Sequence, residues 1–209
     1  MDSSSRWRAE PRTLLRLLAG LWLFGTGDAL IVDAALGNAP WTVLAQGVSL
    51  HTPLSIGVAT QLIGVAVLLG WLPLRERPGL GTLANVVVIG LAIDAMRPLI
   101  PDAGGLAARG AMLLAGTALV GVGSGFYLSA ALGPGPRDGL MTGIHRRTGA
   151  PIALVRGAIE LSALASGWLL GGTVGAGTVA FALLIGPAVQ LGMRVAGARA
   201  RTAEGAPRA

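Results

Sequence analysis

The chain has 209 residues, of which 53% are apolar and 12% charged, with a mean hydropathy of +0.68. Soluble domains carry roughly 25% charged residues, so most of this surface faces something other than water and a soluble globule is excluded. The formal net charge of +6 rests on Arg without Lys, and the absence of Cys removes disulfides and any Cys-based metal or redox site.

Six apolar segments approach or exceed the roughly 20 residues that cross a bilayer as helix, which defines an all-α polytopic membrane protein. Residues 1–12 form a polar segment containing Arg6 and Arg8. No small-residue cleavage site follows a short apolar core, so this segment reads as a retained cytoplasmic end. The first span is predicted over about Leu14 to Ala35, followed by a short helix from about Pro40 to Leu50. The second span, Pro53 to Leu72, stops at Pro73 and Pro78, and the third, from about Leu80 to Arg97, stops at Pro98 and Pro101. Spans four to six are predicted near Ala108 to Ala131, Pro151 to Gly171 and Ala176 to Val195. The tail, 197–209, is rich in Ala, Arg and Gly without apolar periodicity and is expected to be disordered.

The segment Ala34-Ala35-Leu36-Gly37-Asn38-Ala39-Pro40-Trp41 returns 96 residues later as Ala130-Ala131-Leu132-Gly133-Pro134-Gly135-Pro136-Arg137. A Gly and a Pro so spaced stop a helix and fix how the chain restarts. At the same offset Gly20, Gly25 and Gly27 match Gly116, Gly121 and Gly123, and Gly79-Leu80-Gly81-Thr82 matches Gly175-Ala176-Gly177-Thr178. The chain therefore divides into membrane repeat one, 13–101, and membrane repeat two, 109–196. Each has three spans and a short helix after its first span. Three is odd, so the two repeats must be inverted relative to each other. Inverted three-helix repeats recur in secondary transporters, with binding at the repeat interface. Thirteen of the 16 Arg, Arg137 among them, fall on one side of a six-span chain. The positive-inside rule makes that side, with both termini, cytoplasmic.

Four stretches carry a family resemblance. Leu36-Gly-Asn-Ala-Pro-Trp41, Leu132-Gly-Pro-Gly-Pro-Arg-Asp-Gly-Leu-Met-Thr-Gly143, the Arg156/Glu160 pair and Gly171-Gly-Thr-Val-Gly-Ala-Gly-Thr178 resemble the YczE/YitT group of bacterial integral membrane proteins. The resemblance covers about Arg16 to Val195. It implies an inner-membrane, non-enzymatic protein, and because members are often described with five spans it sets five against the six of the hydropathy.

Ionisable residues inside spans are the candidate site. At a helix centre each costs roughly 2.5–3.5 kcal/mol on insertion scales, so each needs a partner or a cavity. Asp28 and Asp33 lie five apart on the first span and do not share a face. Asp28 is the deeper and the better candidate; Asp33 is expected to reach water. Arg156 and Glu160, four apart on span five, are neighbours on one helix face. They form either a self-neutralising pair or an acceptor held by its Arg, with Asp28 as an alternative partner for Arg156. Asp94 and Arg97 are expected to pair locally at the outer surface. Asp138 at the start of the second short helix suits the helix dipole. With Arg137 the exposed N–H groups there could instead hold an anionic headgroup or carboxylate. Trp41, at the position equivalent to Arg137, reads as an interfacial belt residue. Asn38 and Arg137 are expected near the two entrances.

The Gly121-x-x-x-Gly125 stripe on span four and its mate Gly25-x-x-x-Ala29 on span one are expected to pack on each other. No metal-binding or nucleophile motif is present, and no enzyme, metal, cofactor or nucleic-acid partner is expected. The reading is a small-solute or ion-coupled transporter using Asp28, Asn38, Arg137, Asp138, Arg156 and Glu160. The alternative is a non-transporting accessory that binds lipid or a membrane partner. The short chain suggests a homodimer as the unit that encloses a pathway.

Overall fold

The computed structural model describes residues 6, 7 and 9–197. The first five residues and most of the tail, with its expected disorder, lie outside the described residues. The helices are α1 (Pro11–Ala34), α2 (Pro40–His51), α3 (Ile56–Leu69), α4 (Trp71–Leu74), α5 (Leu80–Met96), α6 (Leu106–Ser129), α7 (Pro136–Thr148), α8 (Ile152–Leu169) and α9 (Ala176–Val195). Six spans are long and apolar enough to cross a membrane: α1, α3 continued by α4, α5 with its 3-10 extension to Leu99, α6, α8 and α9. The five-span count that the family resemblance implied does not hold. The short helices α2 and α7 are additional to the six.

Contacts recur at the offset of 96. Ala35 and Ala131 both leave their helix in the left-handed region, with φ of 51° and 53°, and Gly37 and Gly133 follow at 115° and 125°. Only Gly adopts such backbone without strain. Each turn then docks on the far half of the chain. The Leu36 carbonyl accepts from the Gly177 N–H at 2.8 Å, and the Leu132 carbonyl accepts from the Gly81 N–H at 2.9 Å. A Cβ on Gly37 would meet Gly175 and Thr178, and one on Gly133 would meet Gly79 and Thr82. The two motifs and the two Gly-x-Gly-Thr turns are therefore mutual sockets.

The centre of the bundle is the crossing of α1 and α6. Gly20 lies on Gly123 and Gly27 on Gly116, so closely that a Cβ at Gly27 would sit 2.5 Å from the Gly116 carbonyl. Small residues let backbones approach where lipid supplies no hydrophobic drive. The expected α1–α6 pairing is thus present, but the expected stripe does not make it. Gly25 faces Ile89 and Ala92 of α5, while Gly121 and Gly125 face Ala188 and Gly192 of α9. The four-residue stripes turn toward the third span of their own half, because the seven-residue spacing of Gly20/Gly27 and Gly116/Gly123 already occupies the crossing.

The halves differ in one respect. In the first, α3 lies against α5: Gly57 approaches Gly90 and Asp94, and Gln61 Nε2 donates to the Val87 carbonyl at 2.9 Å. In the second, α8 stands off α9 without comparable packing among the described residues. Gly186, 96 positions after Gly90, would meet nothing within 4 Å if given a Cβ. Asp94 and Arg97 do not pair with each other. The Asp94 carboxylate accepts from the Ser55 hydroxyl and, at 2.9 Å, from the Gly57 N–H at the start of α3. Arg97 instead pairs with Asp33 at 3.0 Å, so Asp33 finds a cation on α5's extension.

Candidate functional site

Helices α2 and α7 each pack on the other half of the chain, α2 against α8 and α7 against α3 and α4. Pro40 and Pro136 open them in the first turn, where a missing N–H costs nothing. The residues that follow meet face to face: the Arg137 guanidinium lies 5.6 Å from the Trp41 ring and 6.0 Å from the Phe24 ring. Phe24 is near the middle of α1. Arg137 therefore does not sit in the arginine-rich polar face to which its loop position assigned it. A half-helix that starts inside the bundle carries its first residues there, and the remainder of α7 returns to the surface, where Arg146 pairs with Glu76. Trp41 likewise is no belt residue, since its Nε1 is buried without a partner.

Two cavities flank this contact. The smaller, about 70 Å³, is lined by Asp28, Trp41, Thr42 and Arg137, with α3 and α5 as walls. The larger, about 400 Å³, is lined by Ser124, Tyr127, Arg137, Asp138, Arg156 and Glu160, with α8 and α9 as walls. Phe24, Asn85, Pro136, Arg137 and Phe181 line both. Most of the smaller cavity's lining reappears in the larger at the offset of 96: Asp28 as Ser124, Thr42 as Asp138, Thr60 as Arg156, Gly64 as Glu160, Val86 as Ala182 and Ile89 as Ile185. The carboxylate and hydroxyl exchange places between Asp28/Thr42 and Ser124/Asp138.

Asp28 is 6% exposed and has no ion pair among the described residues, with the Thr42 hydroxyl and the Arg137 guanidinium as the polar groups nearest it. The Arg137 guanidinium has no hydrogen bond or ion pair within the same residues. Asp138, in the first turn of α7, accepts a long hydrogen bond from the Tyr127 hydroxyl, 3.4 Å. Arg156 and Glu160 share the cavity but are not ion-paired, so the self-neutralising pair is absent; Arg156 is exposed and Glu160 half-buried.

Asn38 is not at an entrance. It is 1% exposed, and its Nδ2 donates to Gln46 Oε1 at 2.8 Å. Gln46 Oε1 also accepts from the Thr173 N–H at 2.7 Å, and the Asn38 N–H donates to the Thr173 carbonyl. Asn38 is a tie between the first motif and the turn before α9. Sequence reasoning missed Gln46 as the clamp, although a Gln in an otherwise apolar short helix is a visible signal. It also missed Tyr127 and the Asn85/Phe181 pair, which only the three-dimensional crossing brings to the shared wall.

Six helices long and apolar enough to span a membrane, with polar side chains lining two cavities between them, define a polytopic integral membrane protein. The chain belongs to the family of unknown function DUF6198, which it matches over residues 11–194. It is 44% identical over 193 residues to an uncharacterised protein of Haemophilus influenzae, covering 92% of this chain and 88% of that one. It is 36% identical over 171 residues to the uncharacterised membrane protein YczE of Bacillus subtilis, covering 80% and 79%. No solved structure matches it.

Proposed function

We propose that the chain is a small-solute transporter built from two inverted repeats, with its site at their interface around Arg137. One observation carries this reading. The two cavities are lined by residues at a constant offset, yet they differ in size, about 70 against 400 Å³. Two copies of one site in different degrees of opening are what alternating access requires of inverted repeats. In the opposite state α8 closes on α9 and α3 parts from α5, so the larger and smaller cavities exchange. Each half supplies the conformation that the other adopts. We also read the protein as an inner-membrane one with both ends cytoplasmic, because Arg75, Arg77, Arg146 and Arg147 lie between spans, and Arg194 in the last turn of the sixth, on that one side.

The natural lack of Cys makes the test direct. Ser124→Cys in the larger cavity and Thr42→Cys in the smaller are labelled in sealed vesicles with a membrane-impermeant thiol reagent. Alternation expects both to react, from opposite faces. A rigid accessory protein would leave Thr42→Cys unreactive from either face while Ser124→Cys reacts, and that result would sink the transport reading.

A further inference from the structure

The chemistry of the shared wall narrows the solute. The Arg137 guanidinium is permanently charged, yet no described residue accepts a hydrogen bond from it. Two aromatic faces hold it in place, and cation–π contact supplies roughly 0.5–2 kcal/mol without consuming its N–H donors. Beside it lie the buried, unpartnered Trp41 Nε1–H and the free N–H ends of α2 and α7, which favour negative charge. All these are donors. The walls beyond them are apolar, with Phe24, Val120, Phe181, Ile159 and Ile185 around the larger cavity.

Against these donors stands one buried carboxyl, Asp28, which lines the smaller cavity with Arg137 and has no ion-pair partner among the described residues. From α2, α3 and α5 only uncharged groups face it there, among them Thr42, Thr60 and Asn85. Asp138 and Tyr127, with Arg156 and Glu160 of α8, face Arg137 from the neighbouring cavity. With Asp28 ionised, a bound anion would place a second negative charge on Arg137 beside a buried carboxylate, which is expensive. Uptake of one proton at Asp28 keeps the charge of the chamber unchanged.

We propose that this chamber takes a monovalent organic anion, its carboxylate on Arg137 and Trp41 Nε1 and its apolar body in the larger cavity, and that Asp28 takes up one proton from water as the anion binds. This rests on the transport reading for its purpose but not for its test. Release of anion and proton together on the other side makes the pair the transported unit. Because binding takes up a proton, affinity falls as pH rises, by up to about tenfold per pH unit where Asp28 is ionised in the empty site.

The experiment uses the purified full chain in weakly buffered detergent, with sodium benzoate as probe and benzylammonium chloride and sodium chloride as controls. Proton uptake is followed by an indicator dye and binding by thermal melting. Benzoate is expected to raise the melting temperature and to draw about one proton per molecule bound, while both controls do neither. Asp28→Asn is expected to bind benzoate without proton uptake and without pH dependence. Arg137→Gln is expected to bind at least tenfold more weakly. If either variant fails to fold, the wild-type proton count and pH dependence still decide the matter. Benzoate binding without proton uptake, sodium dependence in place of pH dependence, preference for benzylammonium, or no binding at all would overturn the proposal. Proton-coupled binding without flux in vesicles would overturn transport and leave this site standing; opposite-face labelling of the two cysteines without proton-coupled binding would do the reverse.

Discussion

The two third-span contacts, α3 on α5 and α8 beside α9, are drawn from similar sequence and adopt different packing. In the first, Gly57 and Gly90 bring backbones together and Asp94 caps the start of α3. In the second, Ala153 stands where Gly57 would be, Arg156 and Glu160 replace Thr60 and Gly64, and Gln190 replaces Asp94. The polar side chains of α8 need water or a ligand, which the larger cavity provides. The small side chains of α3 need only a neighbouring helix. The difference teaches that the side chains of α3 and α8 bias which contact is packed here, while both halves share the close α1–α6 crossing.

The largest effects should follow from breaking what the halves share. Gly27→Leu would drive a side chain into the Gly116 backbone, and near-complete loss of folded protein by size-exclusion chromatography is expected, since neither helix can give way. Next comes the contrast between equivalent glycines. Gly90→Leu meets the Gly57 carbonyl and Gln61 and should destabilise by about 1–3 kcal/mol. Gly186→Leu meets open space and should stay within about 0.5 kcal/mol in the same denaturation assay. Equal effects would erase the distinction between the closed and open contacts.

Asp94→Asn is smaller. It weakens the acceptor for the Gly57 N–H and Ser55 hydroxyl, with an expected cost of about 1 kcal/mol. It should also shift the first half toward opening, so Thr42→Cys becomes more reactive in that background. Smallest is Glu76→Gln, which breaks the ion pair to exposed Arg146 and should change stability by less than about 1 kcal/mol. Its reactivity at Thr42→Cys should not change.

Much of this was legible in the chain itself. Hydropathy set the six spans, and the offset of 96 found the two motifs and the two Gly-x-Gly-Thr turns that turned out to be mutual sockets. Asp28 stood out because a carboxylate deep in an apolar span has few other uses. Arg137 was misplaced because the positive-inside rule treats every residue between spans as surface, whereas α7 starts inside the bundle and only its far end reaches the rim. Arg156 and Glu160 were correctly put on one helix face, but i,i+4 spacing permits a pair without requiring one, and no ion pair forms between them. The glycine stripes named close contacts without naming partners, because a stripe does not say which of two neighbouring helices it meets. Asn38 looked like an entrance for a related reason: its hydrogen bonds go to Gln46 and its backbone to Thr173, a partner far away in sequence.

One cross-link tests the exchange of cavities most directly. Gly64 and Val86 face each other where the smaller cavity closes, and a Cβ at Gly64 would lie 3.6 Å from that of Val86, within disulfide range. Their counterparts, Glu160 and Ala182, stand across the larger cavity. Oxidation of membranes carrying Glu160→Cys with Ala182→Cys should form an intramolecular disulfide as α8 closes on α9. In that locked state Thr42→Cys should become reactive toward an impermeant reagent. If the pair never cross-links while Gly64→Cys with Val86→Cys does, the two cavities are fixed differences and not two positions of one site.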